Sequence, residues 1–247
     1  MRSKVFFNIF YHQLLSDKIL GCWHLYSKCG YVHRDVSINN VVLVEDATIE
    51  SKGMLIDFDM AVKYDSQRSG AIERTGTFDF MAIGILQGTA LVHTPLHDLE
   101  SFLYILLYLG TTYTNGKVKV TNHQEQHLFR QPTCTAFYME TQGHLKLALM
   151  MYPNFQAKVL SGLDETFRKR LGKMLVMLRN ILWPYIVADP SRLVPIATAD
   201  GDASDFDSDC DVPMDMVYDP VFEETYEPTY KKFLEEIEKR ISSLKGA

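Results

Sequence analysis

Cysteine is scarce: Cys22, Cys29, Cys134 and Cys210 are the four among 247 residues. No two of them make a Cys-x-x-Cys pair, so neither a zinc site nor a disulfide framework is expected, and a reducing, intracellular compartment follows. Positive charge is short as well, with 25 Lys and Arg against 31 Asp and Glu and a net charge of −6. Nucleic-acid binders usually present a basic surface to phosphates, so no nucleic-acid partner is expected, and acidic peptides are disfavoured substrates. No apolar run has the roughly 20 residues a membrane-spanning helix needs, so no membrane partner is expected either. Arg2 and Lys4 before Val5-Phe6-Phe7 imitate a signal peptide. Asn8, His12 and Gln13 interrupt that run and no small-x-small cleavage site follows, which makes residues 1–15 a buried apolar lead-in rather than a leader. No internal repeat is visible.

What is present, 47% hydrophobic and 23% charged residues, suffices for one sizeable core with an appendage. Ser16 is placed to cap a helix whose Ile19, Cys22, Trp23 and Tyr26 recur at i, i+3, i+4 and i+7 and which Gly30 ends. Cys22 and Cys29 share a face of that helix and read as two small buried residues. Val41–Val44 and Met54–Ile56 flank a polar stretch and predict a β-hairpin with Asn40 and Asp57 at neighbouring strand ends. Residues 60–76 are polar and aperiodic, which predicts a mobile loop carrying the hydroxyls of Ser66, Ser69 and Thr75. From Asp98 to Leu109 the chain is apolar nearly all round, the pattern of a central buried helix, for which Asp98 could serve simply as N-cap.

Further along, His123 and His127 stand four apart without a third ligand and read as solvated polar residues, while Pro95 spoils a shared helical face for His93 and His97. Leu163, Phe167, Leu171, Met174, Leu175, Leu178 and Leu182 mark an amphipathic helix closed by Trp183-Pro184. Residues 199–220 are rich in aspartates that repel one another among few apolar residues, and read as a disordered linker. Residues 221–247 carry Tyr230, Phe233, Leu234, Ile237, Ile241 and Leu244 at helical spacing, an amphipathic terminal helix.

Three fragments carry chemistry: His33-Arg34-Asp35-Val36-Ser37-Ile38-Asn39-Asn40, Leu55-Ile56-Asp57-Phe58-Asp59 and Thr75-Gly76-Thr77-Phe78-Asp79-Phe80-Met81-Ala82. Each sets carboxylate or amide groups beside a short apolar run, which suits strand ends at a cleft. An Asp, an Asn five residues on and a second Asp, in that order, form a phosphotransfer pattern. The set resembles the eukaryotic protein kinases. The variants His-Arg-Asp-Val-Ser, Asp-Phe-Asp and Phe-Met-Ala, followed by His97-Asp98-Leu99-Glu100-Ser101, are most similar to the fungal-type protein kinase family over residues 16–192. The resemblance implies an α+β, mainly α fold: a kinase-like carboxy-terminal lobe over residues 16–198 with a small β-hairpin and no amino-terminal lobe.

By the same resemblance Asp35 orients the acceptor hydroxyl, Asn40 and Asp57 hold magnesium on ATP, and Thr77 sits beside Asp35 as in serine/threonine kinases. Arg34 awaits an anionic group, for which phosphorylated Thr75 is the candidate, and Asp98 bonds back to the catalytic loop. Val42 and Ile56 floor the adenine position, Val42 because strand alternation puts it on the side of Asn40. Phe58 points toward a helix this chain does not supply. The implied partner is a protein substrate.

Departures accompany the likeness. Ser37 replaces the usual phosphate-binding lysine, Asp59 the glycine of Asp-Phe-Gly, and Ala82-Ile83-Gly84 an Ala-Pro-Glu, which leaves Arg192 of Asp189-Pro190-Ser191-Arg192 without its expected Glu. Only 32 residues precede His33, with no glycine-rich loop or ATP-binding lysine strand among them; an amino-terminal lobe needs on the order of 80. A truncated serine/threonine kinase lobe is the expectation, its open ATP-side face covered by the chain's own residues 1–15, by a partner lobe or by self-association. A non-catalytic interaction module and a small-molecule phosphotransferase of the aminoglycoside-kinase type stay open as alternatives. Whether the chain is an enzyme is thus undecided at this point.

Overall fold

The computed structural model describes residues 2–43, 53–64, 76–90, 92–114, 117–118, 136–183 and 226–245. Helix α1 spans Arg2–Cys29, β1 is Tyr31–Val32, β2 Val41–Leu43, β3 Gly53–Leu55 and β4 Val62–Lys63. Then come α2 (Ile83–Gln87), α3 (Pro95–Thr112), the short strands β5 (Tyr113–Thr114) and β6 (Lys117–Val118), and α4 (Ala136–Met150). The helical turn α5 (Tyr152–Asn154) runs into a π-helix at Phe155–Leu160, followed by α6 (Glu165–Leu182) and α7 (Tyr226–Lys245). Helices dominate and the strands form two-stranded antiparallel sheets, so the class is α+β, mainly α.

At the centre is α3. Pro95 opens it, where a missing N–H costs nothing, and its apolar circumference is buried from Leu99 through Leu107. Around it pack α1, α6 and α7. The amphipathic stripe of α6 delivers Phe167, Leu171, Met174, Leu175, Leu178 and Leu182 to the core, and Asp164 caps the helix by accepting the Phe167 amide at 3.1 Å. Helix α7 buries Tyr226, Tyr230, Phe233, Ile237 and Ile241. Its Tyr230 hydroxyl donates to the Pro95 carbonyl at 2.8 Å, and its Tyr226 hydroxyl lies 3.1 Å from that of Tyr64.

Several local expectations change. Ser16 caps nothing: α1 runs through it from Arg2, because no Gly or Pro interrupts residues 2–20 and a single Ser is tolerated inside a helix. Cys29 is exposed on the last turn, while Cys22 is buried. Residues 60–76 are not structureless throughout, since Val62 and Lys63 pair antiparallel with Val32 and Tyr31. Two β-favouring partners already aligned by the end of α1 are enough to hold this short ladder. The predicted hairpin is present, with Val41, Val42 and Leu43 opposite Leu55, Met54 and Gly53. Asn40, however, closes a 3-10 turn (Ile38–Asn40) rather than lying in the strand, so alternation does not relate it to Val42. The turn at 45–52, Ser66, Ser69, Thr75, His123, His127, the 189–192 turn and the acidic 199–220 stretch lie outside the described residues.

Candidate active site

Everything at the site hangs from one carboxylate at the start of α3. Asp98 is not an N-cap; it lies in the first turn and faces back to the loop after β1. Its Oδ2 accepts the His33 amide at 2.8 Å and its Oδ1 the Arg34 amide at 3.0 Å. His93 Nε2 approaches Oδ1 at 2.9 Å, and the Cys22 thiol points at Oδ2 from 3.7 Å. Burial alone would raise the Asp98 pKa, but the charge and hydrogen bond of His93, helped by His33, outweigh it and hold the carboxyl below its usual range. Burial pushes the Cys22 thiol well up, with the Asp98 charge adding to it. Burial also lowers His97, to about 3, with His93 acting in the same direction. Asp98 thus serves as an anion buried among donors, the arrangement that stabilises an ionised group away from water.

That anchor lets Arg34 adopt φ +69°, a left-handed conformation that costs a non-glycine residue free energy. The bend aims Asp35 outward. Asp35 Oδ1 accepts both the Thr77 amide at 2.6 Å and the Thr77 hydroxyl at 2.7 Å. Asn40 Nδ2 donates to Asp35 Oδ2 at 3.0 Å and to the Asp35 carbonyl at 2.9 Å. Gly76 makes the Thr77 contact possible: its φ is +120°, and a Cβ there would stand 2.6 Å from the Arg34 carbonyl oxygen. Three of the motif residues, Asp35, Asn40 and Thr77, therefore form one hydrogen-bonded group.

Asp57 joins through the backbone. The Ile56 amide donates to the Asn40 carbonyl at 3.0 Å, setting the two strand ends side by side. His33, to which the sequence reading gave no role, ties the segments together. Its Nδ1 accepts the Asp35 amide at 3.3 Å, so Nε2 carries the proton and donates to the Ile56 carbonyl at 3.2 Å. The Phe58 ring sits 5.0 Å from the imidazole. Asp57 has φ +63° and is exposed, its Oδ1 reached by the Asp59 amide only at 3.4 Å. With the Asn40 nitrogen engaged on Asp35, its Oδ1 is left as a hard oxygen donor of the kind magnesium takes, on the strand end that pairs with the one leading into Asp57. Among the described residues no group of three or more His, Cys, Asp or Glu could hold a metal ion. An amide and one carboxylate fit an ion that takes its remaining oxygens from phosphate and water.

Val42 and Ile56 do not line a closed pocket. Val42 faces out with its cross-strand partner Met54 and with Ile56, two residues on, while Val41 and Leu55 turn to the core. Val42, Met54, Ile56 and Phe58 are 37%, 50%, 37% and 49% exposed. Arg34 holds the loop through its backbone, and Thr75, its expected phosphorylated partner, is outside the described residues.

Residues 12–110 match the fungal protein kinase family. The match runs from within α1 to the last turns of α3 and contains every residue of the group just described; α4, α6 and α7 lie beyond it. At family level it suggests a kinase-like function. No curated protein matches the chain. Among the described residues no helix is long and apolar enough to cross a membrane.

Proposed function

We propose that this chain carries the catalytic half of a serine/threonine-type protein kinase that moves the γ-phosphoryl group of ATP to a protein hydroxyl. The observation that carries the reading is the Asp35 carboxylate, held on Oδ1 by Thr77 and on Oδ2 by Asn40 on a loop pinned by Asp98. A carboxylate fixed in this way can orient an acceptor hydroxyl and take its proton as the oxygen attacks. Magnesium, bound with ATP, supplies charge neutralisation on the phosphates. Asn40 Oδ1 and the Asp57 carboxylate would hold it, and the left-handed backbone at Asp57 keeps that carboxylate on the open side of the hairpin. Val42 and Ile56 then meet the adenine. The exposed face they share with Met54 and Phe58 supports a cover, either a nucleotide-binding lobe or a second copy of the chain.

The test is transfer of labelled γ-phosphate to a mixed protein acceptor, by the chain alone and with a separately expressed nucleotide-binding lobe. Asp35→Ala is expected to lower the rate by about 10²–10⁴-fold. Transfer undiminished in Asp35→Ala would refute the assignment. The exposed apolar face also favours a second reading, a non-catalytic interaction module. Absence of transfer under both conditions, with a lobe still bound, would favour it.

A further inference from the structure

The segment after Thr77 is gripped from behind by two charged side chains outside the three motifs. Lys146, on α4, is 2% exposed, and its Nζ donates to the Asp79 carbonyl at 2.9 Å and the Met81 carbonyl at 2.8 Å. It also lies 4.1 Å from the centroid of the Tyr104 ring. Glu100, on α3, is 3% exposed, and its Oε1 accepts the Ile83 amide at 2.8 Å and the Tyr104 hydroxyl at 2.5 Å. Residues 79, 81 and 83 are thus held in succession.

Each contact answers a local need. Ala82, the cap residue of α2, carries only a methyl group and offers no acceptor to the first amides of that helix, and Glu100 supplies one from another element. Helix α4 comes close enough because of Gly143: a Cβ there would stand 2.5 Å from Gln87 Cγ and 3.0 Å from the Gln87 amide nitrogen. Lys146, nearly one turn on, reaches the loop carbonyls from that fixed seat. Lys and Glu are almost never buried without partners, and apolar groups of the same volume would often serve stability as well. Burial raises Glu100 to about 7 against the pull of Tyr104, Ile83 and Lys146, and lowers Lys146 to about 7 against the attraction of Glu100 and Asp79. Keeping such a pair makes sense where the geometry it imposes matters.

We propose that Lys146 and Glu100 are positioning residues for the phosphotransfer centre, fixing residues 79–83 and, through Thr77, the carboxylate of Asp35. Neither touches Asp35. The link runs from Lys146 and Glu100 to the loop backbone, through the Phe80 amide bonded to the Thr77 carbonyl at 2.9 Å, and on to Asp35. The proposal rests on the kinase reading only for the role of Asp35; the mechanical coupling stands or falls separately.

The test is hydrogen exchange of individual amides in the full chain. In Lys146→Met/Glu100→Gln, which removes both charges together, the Thr77 and Phe80 amides are expected to exchange about ten-fold faster while those of α6 are unchanged. Lys146→Arg, which keeps donors for both carbonyls, is expected to restore protection at Thr77. A general loosening would move α6 as well and would show no such rescue. Should the double variant fail to fold, Glu100→Gln alone decides, with Thr77 exchange expected to rise about three-fold because an acceptor remains for Ile83. Unchanged exchange at Thr77 in the folded variant, or Lys146→Arg behaving like the double variant, overturns the proposal. Wild-type chain that transfers no phosphate while Thr77 responds as expected would fail the kinase reading and leave the anchor standing.

Discussion

The two sides of the 31–58 region are built on opposite principles. On the inner side, where the loop after β1 meets α3, polar and charged groups are buried and satisfied: Asp98 alone receives two backbone amides and His93. On the outer side of the hairpin, apolar side chains stand in the open: Val42, Met54, Ile56 and Phe58. An ordinary domain would do the reverse, since buried polar groups cost free energy unless paired and apolar surface gains by burial. The inner side trades adaptability for fixed geometry, and the outer side leaves apolar surface uncovered. The difference locates the boundary between scaffold and exposed apolar face at the strand β2, whose Val41 faces one side and Val42 the other.

The strongest way to break this contrast is to empty the inner side. Asp98→Ala leaves the His33 and Arg34 amides unpaired and is expected to cost about 3–5 kcal/mol, read from urea denaturation. Asp98→Asn should cost less, and its pH dependence is informative. Because the folded-state pKa of Asp98 is depressed below 3.8, its ionic contribution is present above about that pH and is lost as the pH falls through the lower folded value. The gap between wild type and Asp98→Asn should therefore be constant near neutrality and close in acid.

Gly76→Ala tests whether the inner geometry reaches the Asp35 carboxylate. With φ +120° and the Arg34 oxygen 2.6 Å from the new methyl, a loss of about 1–3 kcal/mol is expected, together with faster exchange of the Thr77 amide. Lys18 sharpens the rule from the other direction. It is 1% exposed on α1, and its Nζ has no hydrogen-bond partner among the described residues. Burial, only partly opposed by Asp17, lowers it to about 7. Lys18→Met should stabilise the fold by about 1–3 kcal/mol at neutral pH. The advantage should shrink from pH 7 toward 10.5, where the unfolded lysine still holds a proton that the folded one has released and wild-type stability accordingly rises. On the outer side the effect is smallest in stability and plain in association. Val42→Asp should change the unfolding free energy by no more than about 0.5 kcal/mol. In sedimentation it should weaken self-association or binding of a separate lobe. A monodisperse wild-type monomer at high concentration, indifferent to both Val42→Asp and the added lobe, would remove the cover from the account.

Much of this was legible in the residues. Periodicity marked α6 and α7 because their apolar stripes face a core, a run apolar nearly all round marked α3, and β-branched runs marked the hairpin. The order of Asp35, Asn40, Asp57 and Thr77 was readable because the site is assembled from short contiguous motifs. Other features left no local trace. Ser16 looked like a cap because capping residues also occur inside helices, and only the absence of breakers before it says otherwise. His33 sits inside a recognised motif, yet its bridge to Ile56 exists only once the two loops are packed. Lys146 is a charged residue that helical periodicity would leave on the surface; its burial depends on the approach of α4 to α2 at Gly143, which periodicity does not encode, and Glu100 lies in the buried α3 but meets Ile83 only once α3 and α2 are packed. The open hairpin face was anticipated from Val42 and Ile56, but Met54 joins it by cross-strand register and not by motif.

Calorimetry with magnesium and ATP tests the central claim most directly, that Asn40 and Asp57 form a shared site completed by phosphate. Two protein oxygens leave most of the coordination of magnesium to nucleotide and water. Magnesium alone should therefore bind weakly. Magnesium with ATP should bind measurably tighter, and Asp57→Asn should abolish the difference. Tight magnesium binding without nucleotide, or an ATP response indifferent to Asp57→Asn, would contradict the account.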